Sequence, residues 1–241
     1  YIVFTGSPEV ASEILKETAD RIIPCHFELG GKSAAIIYSD ADIDKAVDST
    51  VKGIFKPNAG QICVAMSRVI IHPKVKDEYM TKLISKTKEL KVGSGADDDT
   101  DVTPLISKDQ IQRVSNYVKS GIQSGAELTI GGKESENKEG NFYQPTIFNN
   151  VKTDSTIAQE EIFGPVTSVF DFKDEEEAID IANSTNYGLA SGVFTSDDQK
   201  AKWTAERIQA GVIWHNDWFV DGTNLPGGGY KKSGYGRDGG M

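Results

Sequence analysis

Cysteine and histidine are scarce in this sequence. Its 241 residues include two cysteines, Cys25 and Cys63. Two cysteines do not make a disulfide framework, which favours a reducing compartment, and we expect a cytoplasmic location. The three histidines, His26, His72 and His215, are far apart and show no metal-ligand spacing. We therefore expect no metal site and interpret each histidine as structural or exposed.

Basic charge and long apolar runs are also lacking. Lysine and arginine number 26 against 36 acidic residues, which gives a net charge of −10. Such an acidic chain argues against nucleic acid and anionic membranes as partners. No apolar run approaches the about 20 residues of a membrane span, and no secretory signal is visible. Because the chain opens without Met and stops in a glycine-rich turn, we expect it to be a piece of a longer protein.

Apolar runs that read as strands alternate with helical patterns along the chain. A strand at 1–4 precedes a helix at 9–20, with Ser7 as N-cap and Pro8 at the first helical position. Apolar spacing predicts one helix over 41–55. The other predicted helices lie at 75–90, 107–124, 174–183 and 197–209, and the other strands at 27–29, 34–38, 68–72, 127–131, 142–148, 167–172, 192–194 and 211–214. This alternation predicts an α/β fold with a mostly parallel sheet flanked by helices.

The most informative residue is Cys63, which follows a Gly60-Gln61 turn. Glu28 stands upstream, directly before Leu29 and a double glycine. A thiol nucleophile and a carboxylate base are the groups needed to form and then hydrolyse a thioester. The alternatives are a buried core cysteine and a solvated carboxylate at a strand end. The double glycine favours the functional interpretation, because it lets backbone approach a ligand or another segment closely.

Other motifs allow similar pairs of interpretations. Gly6 and Ser7, between a strand and a helix, form either an anion site or a simple helix cap. Glu161 is a candidate ribose-binding carboxylate and Phe163 a candidate partner of a nicotinamide ring, unless both lie in a solvated turn. Lys32 is either a surface charge or part of a salt bridge near the site. The glycine-rich stretch at 224–241 indicates a loop that bends tightly near another segment.

Six motifs occur in a fixed order along the whole chain. They are Phe-Thr-Gly-Ser at 4–7, Glu-Leu-Gly-Gly-Lys-Ser at 28–33, Asn-Ala-Gly-Gln-Ile-Cys at 58–63, Glu-Glu-Ile-Phe-Gly-Pro-Val at 160–166, Asn-Tyr-Gly-Leu-Ala at 186–190 and Gly-Gly-Tyr-Lys-Lys-Ser-Gly-Tyr-Gly-Arg at 228–237. Together they strongly resemble the NAD(P)-dependent aldehyde dehydrogenase superfamily. Two departures are an extra residue at Pro57 and Gly227 in place of the family's usual aromatic residue.

The resemblance implies a role for each matching residue. It makes Cys63 the nucleophile and Glu28 the general base of aldehyde oxidation to a carboxylic acid, with NAD or NADP as cofactor. The implied cofactor contacts are Gly6 and Ser7 near the phosphates, the Leu29 carbonyl at the nicotinamide amide, Glu161 at the ribose and Phe163 at the nicotinamide. The implied residues of the substrate tunnel are Asn216, Trp218 and Val220, with Phe219 and Asp221 in the same segment.

The resemblance also implies how the chain is organised. We expect a remnant of a Rossmann-like cofactor domain at 1–30, a catalytic domain at 31–230 and a segment at 231–241 that returns toward an oligomerisation strand. A homo-oligomer is then expected. Since most of the family's cofactor domain would lie outside these residues, we expect weak dinucleotide binding and poor packing of residues 1 to about 27. The alternatives are an inactive structural or binding module and the acyl-transferring branch of the family, which generally lacks the base found here at Glu28.

Overall fold

Two β-sheets organise the computed structural model, which describes residues 1–136, 139–220 and 224–240. The larger sheet has seven strands in the order β10-β9-β3-β4-β7-β6-β5, and only β5 runs antiparallel to its neighbour. Its strands are β3 (Ala34–Ile37), β4 (Arg68–Ile71), β5 (Glu127–Ile130), β6 (Thr146–Asn149), β7 (Val166–Asp171), β9 (Ala190–Phe194) and β10 (Val212–His215). The predicted α/β fold with a mostly parallel sheet is confirmed.

Helices cover the large sheet, as parallel strands require. They are α2 (Ile43–Thr50), α3 (Pro73–Glu89), α4 (Lys108–Gln123), α5 (Thr156–Gln159), α6 (Glu175–Asn183) and α7 (Asp198–Ala205). The central strands β3 and β4 are buried along their whole length, so their residues form the middle of the main core. Among the described residues, no helix combines the length and apolar character needed to cross a bilayer.

The predicted helix over 41–55 is present over 43–55, but its last turn is not α-helical. Helix α2 ends at Thr50 and continues as a π-helical turn, Val51–Phe55, followed by a 3₁₀ turn, Pro57–Gly60. Pro57 has no backbone N–H, so the Gly53 carbonyl has no i+4 donor. That carbonyl accepts a hydrogen bond from Met66 N at 2.9 Å instead. The break at Pro57 therefore ties the end of this helix to the segment that follows Cys63.

The smaller sheet has three strands, β1 (Ile2–Thr5), β2 (Cys25–Glu28) and β12 (Gly234–Tyr235), in the order β1-β2-β12. Helix α1 (Pro8–Ala19) packs on it through a small core of Ala11, Cys25, Phe27 and Leu29. The prediction that residues 1 to about 27 pack poorly is therefore wrong for the face of this sheet that helix α1 covers. The edge strand β1 is exposed to solvent on its other side, where Val3 is 64% exposed.

The glycine-rich stretch contains two short strands that the sequence analysis did not predict. Strand β11 (Tyr230–Lys231) pairs antiparallel with β8 (Tyr187–Gly188), and β12 pairs antiparallel with β2. The stretch thus returns to the sheet that holds Glu28. The predicted domain boundaries stay predictions. Residues 137 and 138, and Met241 in the predicted segment at 231–241, lie outside the described residues.

A buried arginine joins the large sheet to helix α6. Arg68, at the start of β4, donates hydrogen bonds to the backbone oxygens of Lys32 at 2.9 Å and of Ile181 and Ala182 at 2.7 Å each. Burial lowers the pKa of Arg68 to about 9, so the guanidinium stays charged at neutral pH. One side chain therefore satisfies three carbonyl oxygens in the interior.

We predict that Arg68→Met lowers the free energy of unfolding by about 3 kcal/mol or more, because it leaves those buried carbonyls without a donor. Exposed Arg21 provides the control, and Arg21→Met should change stability by less than about 0.5 kcal/mol. Urea unfolding followed by circular dichroism measures both. A loss below about 1 kcal/mol for Arg68→Met would contradict this role.

Candidate active site

Three loops meet at one edge of the large sheet. They precede the adjacent parallel strands β3, β4 and β7, and they carry Glu28 to Ser33, Gln61 to Ser67 and Glu160 to Pro165. Because parallel neighbours begin at the same edge, loops that precede them come together there. The candidate site therefore lies at the amino ends of these strands. Cys63, Glu28 and Glu161, which are far apart in sequence, are brought to one place.

The double glycine allows these loops to touch. A Cβ atom at Gly31 would overlap the carbonyl oxygen of Cys63, and one at Gly30 would overlap the Glu161 carboxylate. The Gly31 backbone N–H donates to Glu161 Oε1 at 2.9 Å. Side chains at these two positions would separate the loops of Cys63 and Glu161. Here the lack of a side chain is needed for close approach rather than for a left-handed backbone.

Cys63 is half-buried, whereas Cys25 is buried and contacts the Ile23 carbonyl oxygen at 3.4 Å. This difference in exposure supports the expectation that Cys63 is the reactive thiol. Burial raises the pKa of Cys63, and the negative charges of Glu161 and Glu28 raise it further. The thiol is thus protonated at neutral pH. A base must take its proton before it can attack a carbonyl group.

Glu28 ends strand β2, and its side chain is 32% exposed. Its backbone oxygen accepts from Gly6 N at 3.0 Å, which places the N-terminus of α1 beside it. Ser7 caps this helix by accepting from Val10 N at 3.4 Å, as predicted. The neighbouring Leu29 is buried and donates its N–H to Ser233 O at 2.9 Å. The structure therefore groups Gly6, Ser7 and Leu29 around the predicted base.

The turn with Glu161 and Phe163 is held by helix α4. Gln110 Nε2 donates to Phe163 O at 2.7 Å, and Arg113 Nη2 donates to Glu161 O at 2.8 Å. Phe163 has a left-handed backbone with φ of 59° and is 36% exposed. Burial raises the pKa of Glu161, opposed by the Gly31 N–H and by Lys32. Gln110 and Arg113 are not predicted from the sequence, where their only signal is a spacing of three on one helix face.

Lys32 lies beneath the site, so its interpretation as a surface charge is wrong. It is 2% exposed, and its Nζ has no hydrogen-bond partner among the residues that the structure describes. Burial, followed by the charge of Arg68, lowers its pKa to about 7, while Glu161 and Glu160 oppose this shift. The protonation of Lys32 therefore depends on whether Glu161 is charged.

The structure corrects two of the predicted tunnel residues. Asn216 follows β10 at the carboxyl edge of the sheet, opposite the edge that holds Cys63. Its side chain instead binds the backbone of Thr195, accepting from N at 3.0 Å and donating to O at 2.8 Å. Trp218 is fully buried in the main core, where its ring fills the space left by Gly53 and Gly192. Val220 is 51% exposed, and Asp221 lies outside the described residues.

The α/β fold thus brings a thiol, a carboxylate and a helix N-terminus to one edge of the sheet. Comparison with known proteins assigns the family. The profile of the Aldehyde dehydrogenase family matches residues 1–241, and the chain belongs to this family.

Named relatives and solved structures show the same similarity. Betaine aldehyde dehydrogenase of Bacillus subtilis (strain 168) is 41% identical over 240 residues, which are 98% of this chain and 49% of that protein. The crystal structure of betaine aldehyde dehydrogenase from Staphylococcus aureus in complex with NAD+ matches at a TM-score of 0.96 and 39% identity, covering 99% of this chain and 48% of that one. An NAD-dependent aldehyde dehydrogenase from Sinorhizobium meliloti matches at 0.96 and 38%, with 99% and 48% coverage. The chain spans about half the length of these relatives.

We predict that Glu161→Gln lowers the pKa of Cys63 and moves the pH profile of its alkylation to lower pH. The substitution removes a negative charge that disfavours the thiolate, while its amide oxygen still accepts from Gly31 N. Iodoacetamide labelling of Cys63 between pH 6 and 10, followed by peptide mapping, measures the midpoint. The control is Glu160→Gln. The Glu160 carboxylate accepts a hydrogen bond from the Tyr117 hydroxyl at 2.8 Å. An unchanged midpoint in Glu161→Gln would show that its charge does not act on the thiol.

Proposed function

We propose that this chain supplies the nucleophile and the base for NAD(P)-dependent oxidation of an aldehyde to a carboxylic acid. The observation that carries the proposal is the meeting of the Glu28, Cys63 and Glu161 loops at one sheet edge, with both glutamates acting electrostatically on the thiol. Membership of the aldehyde dehydrogenase family supports it. So does the solved structure of betaine aldehyde dehydrogenase from Staphylococcus aureus in complex with NAD+ and with a modified cysteine.

The proposed chemistry begins at the Cys63 thiol. Because its pKa is raised, the thiol must give up its proton as the sulfur attacks the carbonyl carbon, and that proton ends on the carbonyl oxygen. The product of this attack is a thiohemiacetal on Cys63. After loss of hydride and of the hydroxyl proton a thioester remains, and Glu28 takes a proton from the water that hydrolyses it. The carboxylic acid leaves and the thiol is restored.

The described residues fit a dinucleotide. The 12-residue helix α1 begins beside Gly6 and Ser7, and the positive end of its dipole suits a phosphate. Glu161 provides a carboxylate for ribose hydroxyls, and the exposed ring of Phe163 a surface for a flat heterocycle. The Leu29 carbonyl completes the predicted set. When bound, the cofactor supplies the hydride acceptor.

The proposal extends to assembly and location. Strand β10 is an edge of the seven-stranded sheet in the described chain, and its apolar residues Val212, Ile213 and Trp214 are only half-buried. An open edge strand is a common place for pairing between subunits, which supports a homo-oligomer. Two unpaired cysteines support a cytoplasmic location.

We predict that Glu28→Gln slows release of the acyl group from Cys63 more than its formation. An activated aryl ester such as p-nitrophenyl acetate acylates a thiol without a hydride acceptor, so this chain can be tested directly. Rapid mixing should give a burst of p-nitrophenolate and then a steady state limited by hydrolysis of the thioester. An amide cannot accept the proton of water, so the steady-state rate should fall about a hundredfold or more while the burst persists.

Two controls accompany this measurement. Cys63→Ser should abolish the burst, and Glu17→Gln, at an exposed position on α1, should leave both phases unchanged. A burst that persists in Cys63→Ser would exclude Cys63 as the nucleophile. Loss of the burst together with the steady state in Glu28→Gln would assign Glu28 to activation of the thiol alone.

A further inference from the structure

His26 is a buried histidine whose ring has no satisfied hydrogen bond. Its side chain is 3% exposed, and neither Nδ1 nor Nε2 has a hydrogen-bond partner among the residues that the structure describes. A buried donor or acceptor without a partner carries the cost of its lost hydration. An apolar side chain of similar size would avoid that cost. The position therefore calls for an explanation other than packing.

The ring of His26 faces the predicted base. His26 and Glu28 are two residues apart on β2, so their side chains lie on the same face of the strand. Nε2 of His26 is 3.3 Å from Oε1 of Glu28, within ion-pair distance but not aligned as a hydrogen bond. A small rotation of the carboxylate is enough to align this contact, because the carboxylate is a third exposed while the ring is fixed.

The glycine-rich stretch closes over the other side of the ring. Gly236 has φ of 93°, and a Cβ there would lie 2.9 Å from His26 Nδ1. Strand β12 pairs with β2 immediately before this point, with Tyr235 opposite Phe27. The imidazole is thus held between the sheet and Gly236, with Nε2 directed toward Glu28. A fixed donor next to a movable carboxylate is an arrangement that sets the position of the carboxylate.

The other two histidines differ from His26. His72 Nδ1 accepts from Lys74 N at 3.1 Å and caps helix α3, and His215 Nε2 lies 3.1 Å from Thr195 O. Each has a backbone partner that explains its place in the fold. His26 instead faces the carboxylate of Glu28, which accepts a proton from water in the proposed function.

We propose that His26 is a positioning residue for Glu28: its Nε2–H holds the carboxylate in the orientation from which Glu28 takes a proton from the water that hydrolyses the Cys63 thioester. This inference rests on the proposed function. His26 touches neither substrate nor cofactor in this role and acts through Glu28. Its removal should therefore impair hydrolysis of the thioester and spare formation of the thioester.

The position of the imidazole proton tests the contact without any turnover. With three histidines in the chain, ¹⁵N-histidine labelling and long-range ¹H–¹⁵N correlation resolve each ring, and His72→Gln and His215→Gln assign them. We expect the His26 proton on Nε2, and a shift of its resonance in Glu28→Ala but not in Glu17→Ala. A proton on Nδ1 alone would overturn the proposal, because Nε2 would then present a lone pair to the carboxylate.

Burst kinetics with the aryl ester test the consequence. His26→Leu removes the donor, and we expect a steady-state rate about tenfold or more below that of the original chain, with the burst rate unchanged. His26→Gln keeps an N–H donor and should recover most of the loss. His72→Gln is the matched control at a histidine away from the site, and it should match the original chain.

Each outcome of the kinetic test is decisive. Equal steady-state rates in His26→Leu and the original chain would overturn the proposal. Loss of both the burst and the steady state in His26→Leu, with no recovery in His26→Gln, would also overturn it, because a purely structural role gives that result. Absence of a burst in the original chain would instead contradict the proposed nucleophile, Cys63. In that case the Nε2 proton and its response to Glu28→Ala still decide whether His26 holds the carboxylate.

Discussion

The close contact between the Gly30-Gly31 turn and two other loops is the constraint on which the site depends. At Gly31 the backbone lies against the carbonyl of Cys63 and donates to Glu161, and at Gly30 it lies under the Glu161 carboxylate. The contact joins the loops that precede β3, β4 and β7 at one edge of the sheet. No side chain fits into it. Cys63, the proposed nucleophile, and Glu161 owe their proximity to two missing Cβ atoms.

Bringing these groups together has an electrostatic consequence. The two carboxylates and partial burial raise the pKa of the Cys63 thiol, so the resting site favours the protonated, unreactive form. Beneath it, Lys32 and Arg68 are buried cations with lowered pKa values. The thiol therefore lies near Glu28, the proposed base, whose own surroundings include the buried ring of His26. In the proposed function the position of Glu28 decides the release of the product.

The features of the fold and site that could be predicted from the sequence are those that depend on neighbouring residues or are carried by motifs. Ser7 and Pro8 mark the start of α1 because capping depends on neighbouring residues. The order of six motifs indicates the family, and with it Cys63, Glu28 and Glu161. The helix at 41–55 is different, since apolar spacing over 15 residues does not separate an α-helix from one that ends in a π turn.

Other features depend on the fold as a whole. The family resemblance implies that Asn216 and Trp218 line the substrate tunnel, but only the direction of β10 shows that Asn216 lies at the edge opposite Cys63. The two-residue strand β12 contains glycine and has no strand pattern of its own; it exists because β2 offers an edge. His26 is two residues from Glu28, but its importance depends on burial, which the sequence does not show.

The acylation of Cys63 in a Gly31→Ala variant tests most directly whether the glycine turn assembles the site. The matched control is Gly95→Ala, because a Cβ at Gly95 meets only an ordinary contact at 3.6 Å. With both variants folded by circular dichroism, we expect the burst rate with p-nitrophenyl acetate to fall about tenfold or more in Gly31→Ala and to stay within about twofold in Gly95→Ala. A burst in Gly31→Ala as fast as in the original chain would contradict the claim that this contact holds the nucleophile in place.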